Sequence, residues 1–440
     1  MQPLKSYYDG VVIGGGITGM QAALDLGEQG YEVLLVEREP SIGGKMIALN
    51  KVFPTLDCSS CICTPRMAES AHHSNIRILT YSEVRRVEKR GKGFSINLEC
   101  KPRYVVEEDC IGCSRCEQVC PVDAPHEFDE KLGARRAVYI PHGNAIPQVA
   151  VLDANYCTFC GKCEKICPTN CIDFAQLPTQ EKVEAGTVIV ATGLKTTPID
   201  AKPEYGGGKF LNVMDPMAME RVQSSNGPYG RVLRPSDGKV PKSIAYVQCA
   251  GSRDETLGVP YCSRVCCMYA IKQAILLKHL VQDLDITIYY MDIRAFGKNF
   301  EQFYRRAIEE EGVKFVKAKV AKIIEQPNKD LLLRVEDMEH GGVRREVRHD
   351  IVVLSLGTLP AWHAAGVIDI AEASDGFFEC VAQKISPTRS TMDGVFIAGV
   401  ATGPKDIPDS IVEAGAAAME AAMYLERSGV RRPVAEVAAY

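Results

Sequence analysis

The 440-residue sequence predicts an α/β fold of two dinucleotide-binding-type units, with a small cysteine-rich α+β domain inserted into the first. Three observations carry that prediction. A glycine-rich strand–turn–helix–strand pattern opens the chain. Two cysteine runs of identical spacing interrupt the first unit. A second strand-to-helix switch carries cysteines where a second set of glycines would be expected.

Taken in order, Tyr8-Asp-Gly-Val-Val-Ile13 reads as a short buried strand. It runs into Gly14-Gly-Gly16-Ile-Thr-Gly19, then a helical pattern to Gly30, then a second strand from Glu32 to Val36 that ends at Glu37. This is G-x-G-x-x-G inside a βαβ unit, with an acid about twenty residues on. Gly14 allows the tight turn, and Gly16 lets a pyrophosphate approach the backbone at the helix N-terminus. Gly19 lets helix and strand pack closely, and Glu37 would accept a hydrogen bond from a ribose hydroxyl. A lone glycine-rich turn is weak evidence. Here strand, helix, strand and acid all stand in place.

A strand meander follows from Ile76 to Glu99. Then Cys110, Cys113, Cys116 and Cys120 read C-x2-C-x2-C-x3-C-P, and Cys157, Cys160, Cys163 and Cys167 repeat the pattern, closing on Pro121 and Pro168. This is the ligand spacing of bacterial two-cluster ferredoxins, in which the fourth cysteine of each run serves the other cluster. Cys120 would therefore ligate the second cluster and Cys167 the first. One run alone could be a zinc site; two with the trailing proline point to iron and sulfur. The strand pattern from Val183 to Gly193 then resumes the interrupted unit. The predicted layout is residues 1–101 (first unit), 102–180 (inserted ferredoxin-like domain with two 4Fe–4S clusters), 181–240 (first unit again), 241–350 (a degenerate second unit) and 351–440 (the end of the first unit).

In the second unit, Ser243-Ile-Ala-Tyr-Val-Gln248 is a strand pattern without a glycine fingerprint after it. The chain reads Cys249-Ala-Gly-Ser-Arg253-Asp254, then Tyr261-Cys262-Ser-Arg-Val-Cys266-Cys267-Met-Tyr-Ala-Ile-Lys272. A nicotinamide dinucleotide has no phosphate cradle there. Four thiols gather near one helix N-terminus instead, and a third cluster held by Cys249, Cys262, Cys266 and Cys267 is expected. The plain alternative is a group of buried core cysteines.

Ser41-Ile-Gly-Gly44-Lys45-Met46, Val188-Ile-Val-Ala-Thr192-Gly193 and Gly394-Val-Phe-Ile-Ala-Gly399 resemble the two-dinucleotide-binding-domain flavoproteins of the thioredoxin reductase and glutathione reductase type. The resemblance implies FAD in the first unit, with Gly44, Lys45, Thr192, Gly193 and Gly399 among the residues around it. Val400 stands where that family usually has Asp, so the flavin's sugar chain is expected on backbone amides around Ala401 to Asp406. The segment Cys249–Lys272 and Phe53-Pro-Thr-Leu-Asp-Cys58-Ser-Ser-Cys61 look like the A-type subunits of heterodisulfide reductases. Relatives of these include components of quinone-interacting oxidoreductases and of benzoyl-CoA reductase complexes. This second resemblance covers essentially the whole chain. It implies FAD, three 4Fe–4S clusters with the third close to the flavin, iron–sulfur partner subunits, and an association with flavin-based electron bifurcation in which ferredoxin takes one electron. It also suggests Lys272 near the flavin N5 edge, where a cation would stabilise reduced flavin. The longest family members carry further cluster domains whose motifs this sequence does not show, which keeps a non-bifurcating conduit in view. A redox-sensing flavoprotein is a third reading, and an NAD(P)H-dependent reductase is disfavoured by the missing second fingerprint.

Single residues complete the expectations. Arg253 and Asp254 would pair and position their turn, with a direct flavin role for Arg253 as the alternative. Cys58, Cys61 and Cys63 could supply cluster ligands, a redox dithiol or packing. Cys100, Cys171 and Cys380 read as structural, and His72 and His73 as surface or core residues. Eighteen cysteines, eight of them in two runs at cluster spacing, suit a reducing cytoplasmic interior better than a disulfide framework. The net charge of −5 makes no case for nucleic acid or an anionic membrane. No 18-residue apolar run appears, so no direct span is expected, while peripheral attachment through a partner stays open. The N-terminus lacks the apolar core of a signal peptide.

Overall fold

A computed structural model describes residues 4–430. Two sheets organise the chain. The first takes strands β1 (Tyr7–Ile13), β2 (Val33–Val36), β3 (Ile76–Leu79), β4 (Ser82–Arg90), β5 (Gly93–Cys100) and β6 (Thr179–Val190). The second takes β7 (Val213–Met214), β8 (Ser243–Val247), β9 (Asp285–Tyr290), β10 (Lys314–Glu325), β11 (Leu331–Asp337), β12 (Val343–His349) and β13 (Ile351–Leu354). The first is completed by β14 (Cys380–Ala382), β15 (Ser386–Ser390) and β16 (Val395–Ile397).

The centre of the first sheet is parallel, in the order β16-β6-β1-β2-β3. At the middle of this sheet Val11–Ile13, Val33–Val36, Val188–Val190 and Val395–Ile397 are buried and apolar, as a covered parallel sheet requires. Helix α1 (Ile17–Glu28) packs on one face beside α8 (Ile407–Ser428). Close packing is possible because α8 presents Ala414, Ala417, Ala418 and Ala421, all fully buried. Asp406 caps α8 by accepting from the Asp409 amide, and Gly429 ends it in a left-handed turn. Helix α2 (Ser59–His72) lies beside α1.

The meander and β6 fix where the insert leaves the sheet. β5 and β6 are antiparallel, and Cys100 pairs with Thr179. Residues 101–178 therefore leave and re-enter at the end of one ladder, and their two short helices are α3 (Arg115–Val119) and α4 (Lys162–Ile166). Two buried arginines dock the insert. Arg103 donates to Pro40 O at 2.8 Å and to Thr80 Oγ1. Arg221, on α5 (Pro216–Gln223), donates from Nε to Asp129 Oδ1 at 2.9 Å and lies over the Phe128 ring.

The second sheet runs β7-β13-β8-β9-β10 in parallel and turns antiparallel through β11 and β12. It reaches beyond the expected 241–350 span at both ends, because β8 needs β13 as its parallel neighbour and β13 in turn pairs β7. Helices α5, α6 (Cys266–Leu280) and α7 (Phe300–Glu309) cover one face. Among the described residues no helix is long and apolar enough to cross a membrane.

Candidate functional site

The glycine-rich elements meet at the N-terminus of α1. Gly14 has φ +109°, and a Cβ there would sit 2.4 Å from Ala191 O, so the A-T-G segment with Thr192 and Gly193 lies directly against the turn. A Cβ on Gly19 would meet Gly14 O at 1.8 Å, which is the close approach its position demands. Gly44 faces Gly16 so closely that a Cβ on it would stand 2.8 Å from the Gly16 Cα, whereas a Cβ on Gly16 would meet nothing nearer than 3.9 Å. Gly399 packs against the Thr18 side chain on the first turn of α1. Glu37 is buried and accepts from Gly15 N at 2.6 Å and Glu39 N at 2.9 Å. Burial raises its pKa against those two hydrogen bonds. A carboxylate has further acceptor sites, so a ribose hydroxyl can be added beside them. Lys45 is exposed next to Gly44. The side facing Val400 holds a network that sequence reasoning missed: Glu413 accepts from Gly399 N at 2.7 Å and from Lys405 Nζ at 2.5 Å. The donors and the bare glycine surfaces suit a dinucleotide.

The insert surrounds two cavities with cysteines. One is lined by Cys110, Cys113, Cys116 and Cys167, and also by Cys171. The other is lined by Cys157, Cys160, Cys163 and Cys120. The fourth cysteine of each run thus crosses to the cavity of the other. Four cysteines of the two runs line each space, the donor number that a 4Fe–4S cluster would need. Burial pushes the Cys116 thiol up to about 12. A coordinated metal would ionise such a thiol.

The four cysteines of the second unit also come together. Cys249 follows β8 in a left-handed conformation, and Cys266 and Cys267 open α6. Cys249, Cys266 and Cys267 have raised pKa values, with burial the largest cause and neighbouring thiols, Cys262 among them, adding to it. Burial pushes Cys267 up to about 11. Beside them Gln248 is buried with neither polar atom of its side-chain amide partnered; a bound group with acceptor sulfurs would take a hydrogen bond from its Nε2 but not satisfy its Oε1.

Lys272 is not a solvated helix lysine. It is buried and pairs with Glu220 of α5, while Nζ also donates to Lys51 O at 2.8 Å. Burial pushes its ammonium down and Glu220 holds it up. Glu220 in turn accepts from Asn50 N at 3.0 Å. Both members of the pair thus reach the segment that leaves the Gly43–Gly44 turn. Glu220 carries no local sequence signal.

The expected Arg253–Asp254 pair does not form. Arg253 pairs with Asp292 and lies against Cys249, while Asp254 pairs with Lys202 at 2.6 Å and caps a short turn through the Thr256 amide. The left-handed backbone at Arg253 (φ 57°) turns the two neighbours apart. Cys58 and Cys61 are joined by a disulfide at the start of α2, and Cys63 is buried, its thiol pushed up to about 12 by desolvation.

The family model for pyridine nucleotide-disulphide oxidoreductases matches residues 8–418. Over 424 residues the chain is 45% identical to the A-type subunit of H(2):CoB-CoM heterodisulfide,ferredoxin reductase from Methanothermobacter marburgensis, a match that covers 96% of this chain and 64% of the relative. Over 420 residues it is 47% identical to one of the A-type iron–sulfur subunits of CoB--CoM heterodisulfide reductase from Methanopyrus kandleri, covering 94% of this chain and 64% of the relative. The chain thus spans somewhat less than two thirds of the length of these relatives. Among solved structures it is similar to thioredoxin reductase from T. acidophilum, with a TM-score of 0.57 at 14% identity over 96% of this chain and 100% of that one. Thioredoxin reductase from Lactococcus lactis gives 0.55 at 15% identity over 96% and 99%. These two likenesses show the fold.

Proposed function

This chain belongs to the pyridine nucleotide-disulphide oxidoreductase family and is similar over nearly its whole length to the A-type subunits of heterodisulfide reductases; from that premise we propose that it is the FAD- and iron–sulfur-bearing electron-transfer component of a heterodisulfide reductase-like complex, dividing electrons between ferredoxin and iron–sulfur partner subunits. The observation that carries this reading is the substitution in the second unit. Cys249 just after β8, Cys262 before α6, and Cys266 and Cys267 at its start stand where the family's nicotinamide cofactor would need glycines.

FAD in the first unit and three 4Fe–4S clusters, two in the insert and one on Cys249, Cys262, Cys266 and Cys267, would supply the interchange of electron pairs and single electrons. The protein's own residues bind and tune. The turn at Gly14–Gly19 and the Gly44 face would hold the pyrophosphate region, and Glu37 would accept from a ribose hydroxyl. The buried Lys272–Glu220 pair would set the charge beside the segment that leads from Gly44 to Lys51. Arg253 and Asp292 bracket Cys249 and Cys267: Arg253 lies against the first, and the Asp292 carbonyl accepts from the Cys267 thiol at 3.9 Å. The test is anaerobic flavin reduction. Reduced ferredoxin or a low-potential dye is expected to bleach the flavin absorbance, whereas NADH and NADPH leave it oxidised. Rapid bleaching of the isolated chain by either nicotinamide would overturn the reading.

A further inference from the structure

The first cavity of the insert has a fifth thiol. Cys171 lines it together with Cys110, Cys113, Cys116 and Cys167. Its Sγ lies 3.4 Å from Cys167 Sγ, and its amide also donates to that sulfur. Cys171 is 3% exposed and sits in the insert's small apolar core. The repeat supplies an internal comparison. Cys171 comes four residues after Cys167 in C-P-T-N-C; the same position after Cys120, in C-P-V-D-A, is Ala124, itself 3% exposed. Packing at this position is thus met by a methyl group in one half of the insert. The thiol in the other half adds a second sulfur within reach of one corner of the cavity.

We propose that Cys171 is an alternative ligand of the first cluster, exchanging with Cys167 at one iron; this rests on the reading that the cavity holds a 4Fe–4S cluster. The step balances without an outside reagent. The iron–sulfur bond to Cys167 breaks as a bond to Cys171 Sγ forms, and the proton of the Cys171 thiol passes to the departing Cys167 sulfur. No electron moves and the charge of the site is unchanged. The two sulfurs are already in contact, so side-chain rotation suffices and the backbone need not shift. The first cluster can then lose one ligand bond without losing iron. The second cavity, with Ala124 at the matching position, has no such reserve.

The experiment compares iron, sulfide and FAD content, and the electron paramagnetic resonance of the reduced state, in the anaerobically prepared full chain. The forms are the wild type, Cys113→Ala, Cys167→Ala, Cys171→Ala and Cys167→Ala/Cys171→Ala, with Cys120→Ala as the counterpart in the other half. Cys167→Ala is expected to keep the wild-type iron count with a changed resonance, while the double variant and Cys120→Ala lose iron. FAD content at the wild-type level identifies the variants that fold. Iron loss in Cys167→Ala equal to that of the double variant would overturn the proposal and leave the cluster reading standing. An iron count unchanged in Cys113→Ala would overturn both, since that residue belongs to the cluster reading alone.

Discussion

Lys272 and Glu220 show how much a single buried pair can hold. Both side chains are almost fully enclosed, and each also bonds backbone of the segment that leaves the glycine turn. Removing one partner leaves the other charge without compensation, at a cost of about 3–5 kcal/mol. Lys272→Met is therefore expected to lower stability by that order in chemical unfolding, and Lys272→Met/Glu220→Gln to recover part of the loss. An equal loss in the single and double variants would contradict the pairing. Glu130 supplies a pH dependence. Burial, helped by Asp215, pushes its carboxyl up to about 7. Between its ordinary value and about 7 the folded state binds more protons than the unfolded state, so this contribution to stability falls as pH rises through that window. Glu130→Gln is expected to flatten the fall in unfolding midpoint between about pH 5 and 7.5; a slope unchanged by the substitution would contradict it. At this scale the sequence was legible wherever partners are local. The cysteine runs declare themselves by spacing, whereas Glu220 meets Lys272 only through the packing of α5 on α6. Arg253 and Asp254 misled because adjacency in sequence is not adjacency of side chains at a left-handed residue.

Among the elements, the β5–β6 ladder decides the architecture. Because Cys100 and Thr179 are paired, the insert enters and leaves through one point. Replacing residues 101–178 with a short turn is expected to give a protein that still binds FAD and lacks about eight irons. Loss of FAD from that protein would show that the contacts of Arg103 and Arg221 are required for the flavin unit to fold. The turn into α1 is the stricter element. Gly19→Ala places a methyl group on Gly14 O, and FAD content is expected to fall sharply while the cluster irons of the insert remain. Wild-type FAD content in that variant would remove the turn from the binding site. The βαβ pattern and the meander were readable because their periods and glycines are local. The limits of the second sheet were not, because β7 is a two-residue strand defined only by its pairing with β13.

For the whole molecule, the thioredoxin reductase-like frame places the first unit, the insert and the altered second unit around shared boundaries. α6 starts with two of the four grouped cysteines and carries Lys272 about a turn and a half further on. The docked insert contacts the glycine-doublet segment, since Ile42 N donates to Ile146 O at 3.1 Å. One-electron sites on both sides of a flavin unit are the central claim. Iron, sulfide and FAD content of the anaerobically purified chain, wild type beside Cys262→Ala, tests it most directly. Three clusters predict about twelve irons per FAD, falling by about four in the variant with the flavin retained. About eight irons, unchanged by the substitution, would contradict the claim and make the grouped cysteines of the second unit something other than cluster ligands.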